Sequence, residues 1–244
     1  MLECTMILYR YFNLAYALEA LQTGTWKVGR FDELNDIYDC RPFLANIPSG
    51  LKGFEDTYLK IVSGFLGVVC YSKTINDPVI WSHYSDSHRG VALGFDYWST
   101  DEELPNKVSY STTRPLLDFK RIGTALEDQE PAVAIAKLVN DGFMTKHPSW
   151  QYEQEYRSFA HLDNCQMIGV HYFQPINLYR LRKIVLGAKC MVTMQDIERI
   201  ALRIEEGLRD RNGELADPPI EIIQCKMNPS SFDLEFDRQP RVPQ

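Results

Sequence analysis

The sequence has no stretch approaching the ~20 consecutive apolar residues that a membrane-spanning helix needs, so no such helix is expected. Its six cysteines (Cys4, Cys40, Cys70, Cys165, Cys190 and Cys225) form no C-x-x-C pair, and no histidine stands at zinc-ligand spacing from them. That excludes the common structural zinc sites, and the cysteines read as small apolar residues of a reducing compartment. The start Met1-Leu2-Glu3-Cys4 lacks a basic segment with an apolar run behind it, so we expect no secretory signal and a cytoplasmic location. A P-loop, a G-x-G-x-x-G turn and a G-x-S-x-G nucleophile elbow are all missing, which removes the commonest NTPase, dinucleotide-binding and serine-hydrolase classes. There is no internal repeat and no low-complexity segment.

Basic residues are outnumbered, 26 against 33 acidic ones, giving a formal charge of −7. Such a surface repels the phosphates of DNA and RNA at long range, so strong nonspecific nucleic-acid binding is not expected. The nearest basic cluster, Arg114, Lys120 and Arg121, is interrupted by Asp118 and reads as a solvated face.

What is present is an ordinary folded composition: 244 residues, 45% hydrophobic and 24% charged. Strand and helix signals interleave, and the fold class they indicate is α+β, with mixed or antiparallel central sheets flanked by helices. The expected organisation is one domain over 1–228, with an excursion at about 111–150 and a loosely ordered tail over 229–244. Met6 to Phe12 reads as a strand, Asn13 as the cap of a helix that stops at Gly24, and Trp26 to Phe31 as a returning strand. D-E-L-N-D-I-Y-D (Asp32–Asp39) reads as an acidic turn. A helix over about Leu51–Phe65 precedes a buried strand, Gly67–Tyr71. Asp77-Pro78 opens a short helix carrying Trp81, Ser82, His83 and Tyr84. Further strands are expected at Gly90–Phe95, Lys107–Tyr110, Lys183–Gly187 and Ile220–Met227. Pro131 opens a helix that fades at Gly142, and Thr193 caps another over about Met194–Arg209.

The most informative stretch is Q-Y-E-Q-E-Y-R-S-F-A-H (Gln151–His161). It alternates strictly, so as a strand it puts Glu153, Glu155, Arg157 and Phe159 on one face. Two glutamates and an arginine in that pattern make either a surface ion-pair ladder or an acidic site whose carboxylates the arginine keeps ionised. Trp81 and Tyr84 at i, i+3 spacing read as core packing or as a ligand box. His83, with Asp86 and His88, would serve a metal-dependent hydrolase, although their spacing matches no common metal site.

Taken together, L-Y-R-Y (8–11), L-N-D (34–36), W-S-H-Y (81–84), H-R-G-V-A-L (88–93), W-Q-Y-E-Q-E-Y-R (150–157) and I-V-L-G (184–187) resemble the bacterial domain-of-unknown-function 2971 family. A more distant resemblance is to the ADP-ribosyltransferase superfamily. Arg10 in L-Y-R-Y, Ser72-Lys73-Thr74 after V-V-C-Y, and Glu153-Gln154-Glu155 stand in the order of that superfamily's Arg/His, Ser-x-Ser/Thr and E-x-E elements. The resemblance implies an ADP-ribosyltransferase-like fold and NAD as substrate, with a macromolecular acceptor of unknown identity and a setting among bacterial toxins and phage-defence effectors. In that chemistry a carboxylate stabilises the oxocarbenium-like ribose left when nicotinamide departs, the role implied for Glu155, with Glu153 orienting the acceptor or acting as its base. Ser72 would hold the ribose or buttress the glutamate. Arg10 would present its donor fork to a diphosphate or ribose oxygen, while Tyr71, Trp81 or Tyr84 would stack on the nicotinamide beside His83 and Arg157. The alternative expectation is a non-catalytic ligand-binding or protein-interaction module using the same residues.

Overall fold

Thr5–Phe12, rich in aromatic and branched aliphatic residues, forms strand β1. Asn13 ends it: its side chain accepts from the Tyr16 N–H and starts helix α1 (Leu14–Thr23), which Gly24 closes in the left-handed conformation at φ 68°. Strand β2 (Thr25–Arg30), helix α2 (Phe54–Phe65) and strand β3 (Leu66–Ser72) follow. Asp77 then accepts from the Val79 and Ile80 N–H groups ahead of Pro78, so α3 spans Pro78–Tyr84. Beyond it run β4 (Val91–Trp98), β5 (Asn106–Lys107), β6 (Ser109–Tyr110), β7 (Thr145–Lys146) and β8 (Glu155–His161). Later in the chain come β9 (Gln166–Ile168), β10 (His171–Pro175), β11 (Leu181–Leu186), α4 (Met194–Gly207), β12 (Glu221–Met227) and β13 (Leu234–Arg238); the two-residue segments Leu44–Ala45 and Leu116–Leu117 pair in parallel.

This computed structural model describes residues 5–39, 44–45, 54–117, 142–208 and 219–238. The chain is of mixed helix and strand, and its strands pair mainly antiparallel. It divides into two compact units: Met1–Lys27, Cys70–Leu104 and Phe173–Gln244 in the first, Val28–Val69 and Pro105–Tyr172 in the second.

In the first unit β1 pairs antiparallel with β3 and β4, β4 pairs antiparallel with β11, and β11 pairs parallel with β12 through the α4 crossover. Side chains from this sheet and α3 meet in a core of Tyr9, Trp81, Ala92, Val185 and Ile223. Strand β13 pairs antiparallel with β12, Leu234 opposite Met227 and Arg238 opposite Ile223, within the stretch that the sequence reading assigned to a loose tail.

In the second unit β2 pairs antiparallel with β3 at Gly29–Val68 and Arg30–Gly67. A Cβ on Gly67 would lie 2.3 Å from Val28 Cγ1 and 2.9 Å from Leu162 Cδ2, so the close approach of these strands requires glycine there. Strand β8 pairs antiparallel with β5, and β6 pairs parallel with β7. Phe31, at 0% exposure, stacks on Phe143 with centroids 4.1 Å apart and lies 6.2 Å from Phe159, which forms the aromatic part of this unit's core.

The strand expected from Gln151 begins later. Pro148 instead opens a 3₁₀ turn over Pro148–Glu153, with the His147 imidazole accepting from the Ser149 N–H, and Gln154 adopts a left-handed φ of 44° before the strand starts at Glu155. Glu153 therefore does not share a strand face with Glu155 and Arg157. The helix expected from Pro131, and most of the excursion around it, lie outside the described residues.

Candidate functional site

The second unit holds a cluster of charged side chains that the sequence left open as a surface ladder. Asp39, Lys146, Glu153, Glu155 and Arg157 are each no more than 5% exposed. Arg157 is held on all sides: Nε donates to Glu155 Oε1 at 2.6 Å, Nη2 to Glu155 Oε2 at 3.0 Å and to Asp39 Oδ1 at 2.9 Å, and Nη1 to the Phe143 carbonyl at 2.6 Å. Lys146 Nζ donates to Glu153 Oε2 at 2.6 Å and to Glu155 Oε2 at 3.1 Å, with Asp39 Oδ2 at 3.6 Å. Its ammonium also lies 4.7 Å from the Trp150 ring centroid, and the Tyr110 hydroxyl accepts from the Glu155 N–H at 2.9 Å. Charges this deeply buried are tolerable only when paired and hydrogen-bonded, and here the pairing joins four separated stretches of sequence into one brace.

The 3₁₀ turn explains why Glu153 joins the cluster although it is not on β8: the turn directs its carboxylate to the Lys146 ammonium, which also holds Glu155. Burial raises the Asp39 pKa, and the adjacent Arg157 and Lys146 offset this only in part. Burial by itself lowers that of Lys146, but Glu155, Asp39 and Glu153 outweigh it and hold the ammonium protonated well above the usual lysine range. Burial pushes the Tyr110 hydroxyl up to about 12.

A raised folded-state pKa makes a stabilising contribution that is complete below the unfolded value and is lost as pH climbs toward the folded one. For Tyr110 and Lys146 the unfolded values lie near ~10. Stability set by this unit is therefore expected to hold to about pH 9.5 and to fall between about pH 10 and 12, with a shallower fall in Lys146→Met. Urea melts of both proteins across that range check the expectation; a flat profile contradicts it.

Beside the brace opens a cleft of about 540 Å³, within the size range of small-molecule sites. Asp39 and Lys146 belong to both the brace and the cleft wall, which continues through Asp36, Tyr38, the Ser111–Pro115 loop and His147. Asp36 is 4% exposed; its Oδ1 accepts the Tyr38 N–H at 3.0 Å, while its buried Oδ2 has no hydrogen-bond partner among the described residues. The Arg114 guanidinium lies 5.6 Å from the Tyr38 ring centroid at the same opening. Among the described residues lining the cleft, Asp36 and Asp39 carry carboxyl groups and Arg114 and Lys146 are cationic.

Asp36, Asp39 and Lys146 were not singled out from sequence. The two aspartates stand in what reads as an acidic turn, and Lys146 falls in the excursion expected at about 111–150. The L-N-D element ending in Asp36 was the one available signal.

The other expected site residues fall in the first unit, and each is engaged there. The Arg10 guanidinium lies 4.6 Å from the Trp26 ring centroid and 5.1 Å from that of Phe12, and its Nη2 donates to the Lys27 carbonyl at 2.6 Å. No ion pair to it is found among the described residues, and burial lowers its pKa. Ser72 closes a local turn, its hydroxyl donating to the Thr74 carbonyl and accepting the Thr74 N–H, both at 3.1 Å.

Trp81, at 0% exposure, packs edge-on against Tyr11 and donates Nε1–H to the Ile75 carbonyl at 2.7 Å; Tyr71 packs edge-on against Trp26 and Tyr97. Trp81 and Tyr71 are thus core residues whose rings are covered. His83 and Tyr84 instead line an open depression of about 690 Å³ with Asp86 and the Tyr11–Tyr16 segment. No group of three or more His, Cys, Asp or Glu suited to a metal ion occurs among the described residues.

Fold and site together define a mixed helix–strand protein with a buried ion-pair brace that shares Asp39 and Lys146 with the wall of a cleft. Residues 80–158, under half of the chain, match the family described as Protein of unknown function (DUF2971). That span includes W-S-H-Y, H-R-G-V-A-L, Lys146 and the whole Trp150–Arg157 motif, but neither Asp36 nor Asp39. No curated protein and no solved structure matches the chain. No helix among the described residues is long and apolar enough to cross a membrane.

Proposed function

We propose that the chain binds a nucleotide of the NAD class in the cleft beside the Asp39–Lys146–Arg157 brace. The observation that carries this reading is a cleft of about 540 Å³ lined by charged and hydroxyl-bearing residues, two of which, Asp39 and Lys146, are held in place by the ion pairs of the brace. Several features of the cleft fit such a ligand. The hydroxyls of Ser111, Thr112 and Thr113 match ribose oxygens, Tyr38 offers an aromatic face, and Arg114 and His147 supply nitrogen donors for a diphosphate.

ADP-ribosyl transfer or NAD cleavage is the catalytic form of this reading; what favours it is the meeting of Glu153 and Glu155 on the Lys146 ammonium, while Arg10 and Ser72 do not line this cleft. Binding without turnover is the second reading. It is favoured by the Glu155 carboxylate, both of whose oxygens already accept from Arg157, and one also from Lys146. Titrating the protein with NAD while following its melting temperature and free nicotinamide tests both. A ligand at a hundredfold excess over its dissociation constant stabilises by about 2.7 kcal/mol, a shift of several degrees. A rise in melting temperature with nicotinamide release that Glu155→Gln abolishes is the result for the enzyme. A rise without release assigns the binding module, and no rise rejects the nucleotide reading.

A further inference from the structure

We infer that His147 is the residue that selects a phosphorylated ligand for the cleft, its Nε2–H donating to a phosphoryl oxygen; the inference deepens the nucleotide reading above and rests on it. His147 is exposed and lines the cleft, so a ligand bound there can reach it. One of its nitrogens is committed to the fold. Nδ1 accepts the Ser149 backbone N–H at 3.2 Å and lies 3.0 Å from the Ser149 Oγ, as the cap of the Pro148–Glu153 turn. A backbone N–H can only donate, so Nδ1 carries no proton in this arrangement and the proton of the ring stands on Nε2. The far end of the same turn is Glu153, which holds the Lys146 ammonium at 2.6 Å, so the ring is mounted on the braced part of the unit.

While it caps the turn, the ring is a donor and not a base. A base would need the lone pair on Nε2 and hence a proton on Nδ1, where it would face the Ser149 N–H. An Nε2–H selects an acceptor, and the rest of the wall decides which one. Arg114 brings a guanidinium, which only donates, and the Ser111, Thr112 and Thr113 hydroxyls can donate as well. The acids of the wall, Asp36 and Asp39, are buried, and Asp39 is paired with Arg157 at 2.9 Å. A phosphoryl oxygen gathers several donors at once and carries the charge that complements a guanidinium. An amine or a second guanidinium offers His147 no acceptor.

His147→Asn separates the two nitrogens. Its carboxamide oxygen takes the place of Nδ1 at the cap, where asparagine is a favoured residue, and nothing replaces Nε2–H. The expected result is an unchanged melting temperature without ligand, together with NAD binding weakened about tenfold or more by isothermal titration, the loss of a hydrogen bond to a charged oxygen. Nicotinamide riboside, which lacks phosphate, is expected to show no such difference between the two proteins. Imidazole nitrogen NMR of the wild type gives a second readout: the Nε2–H tautomer before NAD is added, and a shift at Nε2 when it binds, which a cap alone would not produce. Wild-type NAD affinity in His147→Asn, an equal loss toward nicotinamide riboside, a lowered melting temperature without ligand, or an Nδ1–H tautomer overturns the inference while leaving the nucleotide reading in place. Absence of NAD binding by the wild-type protein overturns both.

Discussion

Arg157→Leu is expected to lower the stability of the protein by about 3–5 kcal/mol, because it removes one cation from a buried cluster and leaves its carboxylates facing only Lys146. Glu155 would lose the donors to Oε1 and Oε2 at 2.6 and 3.0 Å, Asp39 would lose its contact at 2.9 Å, and the Phe143 carbonyl would lose the one at 2.6 Å. Since a typical domain is stable by only ~5–15 kcal/mol, such a loss threatens folding itself. The effect belongs to the unpaired charges, so Arg157→Lys, which restores a charge without the planar fork, is expected to recover part of it. Urea denaturation of the three proteins measures the difference. If Arg157→Leu costs under about 1 kcal/mol, the behaviour of an exposed ion pair, the brace is not what holds this unit.

Trp81→Ala is expected to cost a similar amount, about 3–5 kcal/mol, through the cavity left when a large buried aromatic is removed. Trp81 is fully buried, meets Tyr11 edge-on with ring centroids 5.0 Å apart, and loses its Nε1 hydrogen bond to Ile75 on truncation. The expectation distinguishes two roles for this residue. As the core side chain of the first unit it governs stability, and Trp81→Phe, which retains most of the volume, should lose markedly less. As a platform for nicotinamide it would govern affinity instead, and both substitutions would weaken NAD binding with little change in the urea midpoint. We expect the first pattern.

Much of the fold was legible wherever a local signal decided the structure. Asn13 and Gly24 bracket α1, and Asp77 with Pro78 starts α3, because caps and positive-φ positions depend on the neighbouring residues alone. The Gln151–His161 stretch departs from a strand over its first four residues because alternation cannot register Pro148 and the left-handed Gln154 upstream of the strand. The site was legible in part. Glu153, Glu155 and Arg157 announced themselves as a charged group, but whether such a group lies on the surface or in the interior depends on what meets it, and its partners include Asp39, 118 residues from Arg157. Trp81 and Tyr71 show the converse, since aromatic residues near a motif look alike in sequence whether their faces are open or covered by Tyr11, Trp26 and Tyr97. Asp36 sat in an acidic turn whose pattern is that of any solvated loop, and only its 4% exposure reveals that the carboxylate is not solvated.

The most direct test of the proposed site is a crystal structure of the protein soaked with NAD. The account predicts dinucleotide density in the cleft bounded by Asp36, Tyr38, the Ser111–Pro115 loop and His147, with the Arg157–Glu155 pair of the brace unbroken. Dinucleotide bound elsewhere with this cleft empty would contradict it.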